Sequence, residues 1–176
     1  MNNPAGSLTV CVTETVVVVK VSERGSFTIS ADFKQLILGL IQSGFRRFLI
    51  DLSECLILDS TFLGVLAGIG QKLAGKPDPA LTGTIELFKP NARVVDLLDN
   101  LGVASLFTFI TETESLPPLA GSAQPVAIQA SREETSRTCL EAHLTLMNIN
   151  PANVPRFKDV TKFIAEDLKK IQSQRR

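Results

Sequence analysis

The stretch from Phe45 to Leu73, FRRFLIDLSECLILDSTFLGVLAGIGQKL, decides the fold of this chain. Its first half contains two short apolar runs, and its second half passes through Asp59-Ser60-Thr61 before leucines recur at helical spacing. This pattern predicts a buried strand, a short link and an amphipathic helix. Because the first turn of a helix has free backbone N–H groups, Ser60 and Thr61 are predicted to lie where hydroxyls and anions are stabilised.

Strands alternate with helices on both sides of this stretch. The predicted strands are Leu8 to Val12, Thr15 to Val21, Arg47 to Leu52, Gly83 to Phe88 and Leu106 to Thr111; two further helices are predicted, Ala31 to Gln42 capped by Ser30, and Arg93 to Asn100. Four consecutive valines, Val16 to Val19, are typical of a strand buried on both faces, as in parallel and mixed sheets. The alternation therefore predicts an α/β fold with helices packed on a mixed sheet.

The composition changes after the last predicted strand. Residues 117–130 are rich in Pro, Ser and Ala, which is typical of a linker. Ser131 and Glu134 have the S-x-x-E spacing of a capping box, and Asn153 is the expected cap of a second helix. An apolar stripe is predicted on that second helix, at Phe157, Val160, Ile164, Leu168 and Ile171. We expect a first domain over 1–116, a linker over 117–130 and a C-terminal helical hairpin over 131–176.

The composition argues against several classes of function. Lys and Arg together number 18, as do Asp and Glu, so no excess charge points to direct binding of nucleic acid or anionic lipid. Cys11, Cys55 and Cys139 have no CxxC spacing and are interpreted as reduced core residues, while His143 is interpreted as a surface helix residue. We therefore expect no metal and no cofactor. The N-terminus lacks the basic start of a signal peptide and a run long enough to span a membrane, which favours a cytoplasmic protein.

The chain from about Leu8 to Leu116 resembles a STAS domain, the fold of bacterial anti-sigma factor antagonists. Leu49-Ile-Asp-Leu-Ser53, followed by Leu58-Asp-Ser-Thr-Phe-Leu-Gly64, is similar to the strand, loop and helix start of that family. The segment Lys89-Pro-Asn-Ala-Arg-Val-Val95 resembles the entry to the family's third helix, and Leu106-Phe-Thr-Phe-Ile110 resembles its closing strand. The resemblance leaves the C-terminal helices unexplained.

The resemblance implies a function in signal transduction and transcription regulation. In this family, the serine after the aspartate is phosphorylated by a partner that is both a serine kinase and an anti-sigma factor, and the unphosphorylated form binds this partner. The resemblance thus implies a non-enzymatic regulator with its phosphorylation site at Ser60, Thr61 being a lesser candidate. The partner-binding residues that it implies are Asp59, Ser60, Thr61, Phe62 and Gly64.

The sequence departs from the family pattern at two places, and other functions stay open. Phe62 stands where the family commonly has a small residue, and Ser26 and Thr28 stand where it has two acids. Local spacing places no histidine, second acid or nucleophile beside Asp59, which favours a helix cap over a catalytic acid. Ser60 could also be a plain helix cap. The alternatives are a scaffold subunit that forms homo-oligomers through its C-terminal helices, and a STAS module that senses a small ligand.

Overall fold

The structure, a computed structural model, describes residues 5–112 and 123–174. Its strands are Ser7–Val12 (β1), Val17–Gly25 (β2), Arg47–Asp51 (β3), Cys55–Leu58 (β4), Thr84–Phe88 (β5), Thr108–Ile110 (β6) and Gln124–Pro125 (β7). Its α-helices are Phe27–Gln42 (α1), Ser60–Ala74 (α2), Ala92–Leu101 (α3), Arg132–Ile149 (α4) and Val154–Ser173 (α5). A 3₁₀ turn, Pro151–Asn153, joins α4 to α5.

The strands form one mixed sheet in the order β6-β5-β3-β2-β1-β7, and β4 pairs with the end of β2. The pair β1–β2 is antiparallel, with Val10 opposite Val19, whereas β3 runs parallel to β2 with Leu49 opposite Val18. Strands β5 and β6 extend the parallel part of the sheet. The prediction of a mixed α/β fold with a C-terminal helical hairpin is confirmed.

The valine run lies at the centre of the sheet and is buried on both faces. Val17 and Val19 belong to the main core cluster, while Val16 and Val18 belong to a smaller cluster, as the alternation of side chains along a strand requires. With the exception of Ala31, the buried apolar side chains of α1, α2 and α3 belong to the main cluster. These three helices therefore pack on the same face of the sheet.

Helix α1 begins one turn earlier than predicted. It starts at Phe27, after Ser26, and not at Ala31 with Ser30 as its cap. The Ser30 hydroxyl lies inside the helix and donates to the Ser26 carbonyl at 2.7 Å, so its hydrogen-bonding capacity is satisfied without a capping role.

The segment before α4 is attached to the sheet and to α1. Within the stretch predicted as a linker, β7 pairs with β1, and the Val126 N–H donates to the Leu8 carbonyl at 2.9 Å. Farther along, the Asp32 carboxylate accepts hydrogen bonds from the backbone N–H groups of Gln129 and Ala130 at 2.9 and 3.1 Å. Residues 124–130 therefore fix where α4 begins.

The C-terminal hairpin follows the predicted pattern at its start and departs from it at its turn. The capping box is confirmed, because Ser131 and Glu134 each accept the other's backbone N–H, at 3.2 and 2.7 Å. Asn153 makes no side-chain cap; its side-chain amide donates to the carbonyls of Leu101 and Leu146, both at 2.9 Å. It thereby ties the turn of the hairpin to the end of α3.

The apolar stripe predicted on α5 is only partly buried. Leu168 is buried, but Val160 is 37% exposed, and the inward position beside it is occupied by Thr161. In residues 5–112 and 123–174, no helix is long and apolar enough to cross a membrane.

Candidate functional site

Asp59 joins the starts of two helices. It precedes α2, and its Oδ1 accepts a hydrogen bond from the Phe62 N–H at 2.8 Å. Its second oxygen, Oδ2, accepts the Phe27 N–H at the start of α1 at 2.7 Å. One carboxylate thus satisfies free N–H groups of two helices, which is the capping role expected of Asp59.

Ser60 is the first residue of α2, and its side chain contacts the C-terminal hairpin. Its Oγ lies 2.9 Å from Nε2 of His143 in α4, a residue 83 positions later in the chain. Since Asp59 is the helix cap, the interpretation of Ser60 as a plain cap is wrong. The Ser60 hydroxyl is held by a side chain from outside the sheet domain.

His143 is only 5% exposed, so its prediction as a surface residue is also wrong. Its Nδ1 lies 2.8 Å from the Cys139 carbonyl oxygen, which can only accept, so we assign the ring proton to Nδ1. Nε2 then accepts the hydroxyl proton of Ser60. Burial lowers the pKa of His143 and outweighs the Cys139 carbonyl and the Asp59 charge, which raise it. The ring is therefore neutral at neutral pH.

Thr61 is covered by the same helix. It is 3% exposed, and its Oγ1 lies 3.2 Å from Sγ of Cys139. Burial raises the pKa of the Cys139 thiol, so the sulfur stays protonated at neutral pH. Because Cys139 and His143 are four residues apart in α4, they share one face of that helix and meet Thr61 and Ser60 together.

Phe62 and Gly64, two of the predicted partner-binding residues, are also buried. The Phe62 ring is fully buried, and its centroid lies 4.7 Å from that of Phe33, so this bulky residue fills the core. A Cβ on Gly64 would lie 2.5 Å from the Ala142 carbonyl oxygen, too close for any other residue. Glycine at position 64 therefore allows α4 to pack closely on α2.

An open apolar groove lies beside these residues. Its volume is about 660 Å³, and it lies between the start of α1 and the helices α4 and α5. Two exposed aromatic rings line it, Phe27 at 51% and Phe163 at 68%. Ser26 and Thr28, where the family has acids, lie next to Phe27 and hydrogen-bond to each other at 2.8 Å between their hydroxyl oxygens.

The arrangement fixes the position of the Ser60 hydroxyl and packs α4 beside it. A hydrogen-bonded Ser–His pair is the first element of an activated nucleophile. Here Nδ1 of His143 faces a carbonyl, and both oxygens of Asp59 are engaged by backbone N–H groups, so no carboxylate orients the ring. No group of three His, Cys, Asp or Glu in the described ranges is arranged to hold a metal ion. The geometry is that of a partly buried hydrogen-bonded contact between α2 and α4.

Sequence reasoning missed His143 and Cys139 as members of the site. Local spacing could not bring them to Ser60, because they follow it by about 80 positions. A usable signal was present, since Cys139, Ala142, His143 and Leu146 recur at i, i+3, i+4 and i+7. That stripe predicts a buried face on α4 that includes the histidine.

The comparisons with known proteins agree with the fold. The family model of the STAS domain matches residues 7–116. The chain belongs to the STAS domain family. This confirms the resemblance drawn from the segment Leu58 to Gly64, and STAS domains of the anti-sigma antagonist type are generally non-enzymatic.

Solved structures of two anti-sigma factor antagonists are similar to this chain. One is that of the anti-sigma factor antagonist SpoIIAA in its unphosphorylated form, at 20% identity and a TM-score of 0.52, covering 63% of this chain and 92% of that one. The other is an anti-sigma factor antagonist from Mycobacterium paratuberculosis, at 18% identity and a TM-score of 0.51, covering 62% and 89%. At these identities the likeness shows the fold alone. No curated protein matches the sequence.

Proposed function

We propose that this STAS protein is an anti-sigma factor antagonist-like regulator, which binds an anti-sigma factor with serine kinase activity and is switched off by phosphorylation of Ser60. The observation that carries the proposal is the position of Ser60, the first residue of α2 directly after the capping Asp59. This is the position at which the family carries its regulatory serine. The similarity to solved anti-sigma factor antagonists supports the same class of partner.

The electrostatics of this position suit a binary switch. A phosphate on Ser60 adds roughly −1.5 to −2 charges at neutral pH. The N-terminus of α2 tolerates that charge because its free N–H groups and dipole favour anions. Beside the Asp59 carboxylate, the phosphate creates a concentrated negative patch. A partner packed over the patch is expelled by like-charge repulsion and by the cost of desolvating the phosphate.

The start of α1 sets this protein's partner apart from that of other family members. Ser26 and Thr28 replace two acids with hydroxyls that bond each other, and Phe27 between them is exposed. A partner that binds the start of α1 therefore contacts the Phe27 ring, which has a neutral hydroxyl group on each side. We expect the partner to present an apolar surface to this edge of the domain.

Phosphopeptide mapping of the protein isolated from its own cells, with and without phosphatase treatment, tests the proposal. The Ser60→Ala variant is the control. Phosphate on Ser60 that is absent from the variant supports the switch, whereas phosphate on Thr61 alone points to a scaffold subunit. Absence of phosphate from both residues across growth and stress conditions contradicts the proposal.

Two observations favour the alternative functions. The long α4–α5 hairpin offers a surface for a scaffold subunit, and size-exclusion chromatography of the full chain and of residues 1–116 tests it, since an oligomer through the hairpin loses mass on truncation. The groove at Phe27 and Phe163 offers a site for an apolar small ligand. A rise in Tm with one compound from a metabolite panel would support that function.

A further inference from the structure

Helix α4 packs on three residues in the first part of α2: Ser60, Thr61 and Gly64. His143 binds the Ser60 hydroxyl, Cys139 contacts Thr61, and the Ala142 carbonyl lies over Gly64. These α4 residues lie beyond residues 7–116, which the family model matches. The cover is therefore an addition to the STAS domain, and it occupies the same helix start that the proposed partner has to reach.

The hairpin contributes little to the hydrophobic core of the domain. Among the described residues of α4 and α5, Ala142 and Leu146 are the buried members of the main cluster, and Ile149 and Phe157 pack against it while partly buried. The remaining buried members of that cluster come from residues 8–107, so most of its buried side chains belong to the sheet and its three helices. A segment with few buried apolar contacts opens at a lower free energy than the core does.

Polar contacts also hold the hairpin in place. Lys34 of α1 forms an ion pair with Glu141 of α4, and Asp32 binds the backbone before α4. The Lys34 and Glu141 side chains are partly exposed, so water can replace their contact at small cost. Ser60, by contrast, exchanges its bond to His143 for a bond to water or to a partner. The contacts suit a cover that can be displaced.

We propose that the α4–α5 hairpin is an intramolecular cover, which excludes the partner from Ser60 while it is closed and competes with the partner for the face of α2 that carries Ser60, Thr61 and Gly64. This inference rests on the proposed function of Ser60. It adds a level of control that acts before phosphorylation, because the kinase reaches Ser60 only in the open form.

The cover and the phosphate are linked. A phosphate on Ser60 would have to fit where Nε2 of His143 now lies at 2.9 Å, beside the His143 ring packed on Phe157 at 4.8 Å between centroids. The closed form cannot take three more oxygens there without separating α4 from α2. By thermodynamic reciprocity, a closed hairpin opposes phosphorylation and a phosphate on Ser60 opposes closure.

Gly64 and Gly68 provide a matched pair of substitutions that test the cover. The added methyl group of Gly64→Ala meets the Ala142 backbone oxygen, whereas that of Gly68→Ala has ordinary contact, 3.5 Å from the Thr145 methyl. Both changes raise the helix propensity of α2, so neither weakens that helix. Gly64→Ala should open the cover, and Gly68→Ala should leave it closed.

The readout is the rate at which a maleimide labels a cysteine placed at position 60 in the full chain. All variants carry Ser60→Cys, and peptide mapping separates this cysteine from the native ones. We expect labelling to be roughly tenfold faster with Gly64→Ala than without it, and unchanged within about twofold with Gly68→Ala. Equal rates for Gly64→Ala and the parent, or equal acceleration by both alanines, overturn the inference.

A second set of variants keeps the test decisive where Gly64→Ala does not fold. Lys34→Glu should speed labelling at position 60 because it places two carboxylates together, and Glu141→Lys added to it should restore the slow rate. A labelling rate at position 60 that changes with neither substitution contradicts the cover.

The cover and the proposed function fail in different ways. The labelling experiment uses no kinase. If Gly64→Ala speeds labelling while no phosphate is found on Ser60 in cells, the cover is supported and the phosphorylation switch is rejected. A complementary assay incubates the chain with Mg-ATP and extract of its own cells and measures phosphate on Ser60. This assay uses proteins that keep Ser60. Equal phosphorylation rates in the unsubstituted chain and in the Gly64→Ala variant leave the switch standing and remove the cover.

Discussion

The hydroxyl of Ser60 and the imidazole of His143 form a hydrogen bond of 2.9 Å between the first residue of α2 and the middle of α4. The ring is buried, and its other nitrogen donates to the carbonyl of Cys139 in the preceding turn of α4. Both nitrogens are therefore satisfied within the chain. Through this contact, the packing of the C-terminal hairpin depends on a serine that belongs to the STAS domain.

Replacing His143 by alanine should destabilise the closed form. The change removes the hydrogen-bond partner of Ser60 and the packing against Phe157. Together these losses should lower the free energy of unfolding by about 2 to 3 kcal/mol. Urea denaturation measures the loss. Leu144→Ala, at a neighbouring position that is 42% exposed, is the control and should change the free energy of unfolding by less than about 0.5 kcal/mol. Equal losses in the two variants would contradict the role of the histidine contact.

The stability of the protein should fall between pH 7.5 and pH 5.5. Burial lowers the folded pKa of His143 below its ordinary value of 6.5, so below that pH the unfolded chain binds a proton that the folded chain does not. The stabilisation is fully present above about pH 6.5 and is lost as the pH falls towards the lower folded pKa. Two other titratable groups act on this ring: the Asp59 carboxylate, whose charge raises the pKa of His143, and the Cys139 thiol, whose Sγ lies 3.7 Å from Nδ1.

His143→Gln provides the control for this pH dependence, because the chain has one histidine. Urea denaturation of both proteins at the two pH values measures the effect. The pKa values of Glu54 and Glu134 are lowered, by hydrogen bonds from Lys20 and from the Ser131 backbone, so these carboxylates titrate below the window. An equal fall in the variant would show that His143 is not its source.

The sequence was sufficient for the elements that depend on local pattern. Leu63, Leu66 and Leu73 are buried in α2 as their helical spacing predicts, and the capping box at Ser131 has both of its bonds. The valines of β2 are buried on both faces for the reason their run indicates. Each of these features needs information from only a few neighbouring residues.

The rest depended on contacts between distant parts of the chain. Helix α1 starts at Phe27 because its first N–H is bound by Asp59, which lies 32 positions away. The local sequence contains no sign of this distant cap and therefore favoured Ser30. His143 had the spacing of a buried residue, but nothing nearby in the sequence indicated that Ser60 would be its partner. When tertiary packing brings distant residues into one site, no local sequence pattern identifies them as partners.

Replacing Asp59 by alanine should destabilise two helices at once. The variant leaves the N–H groups of Phe27 and Phe62 without their acceptor, at a cost of about 2 kcal/mol in the free energy of unfolding. Asp59→Asn keeps one side-chain oxygen and should lose about half of that. Asp78→Ala is the control, since Asp78 caps one N–H of an exposed 3₁₀ turn. A loss for Asp59→Ala no larger than for Asp78→Ala would refute the double cap.

Phe62→Ala should be among the most destabilising single changes near the site, although position 62 lies beside the proposed phosphorylation site. Its ring is fully buried against Phe33, so its removal leaves a cavity and costs about 3 to 5 kcal/mol. Phe163→Ala, at a position that is 68% exposed, should cost less than about 0.5 kcal/mol. Chemical denaturation separates the two. If Phe62→Ala were as mild as Phe163→Ala, Phe62 would belong to the partner surface and not to the core.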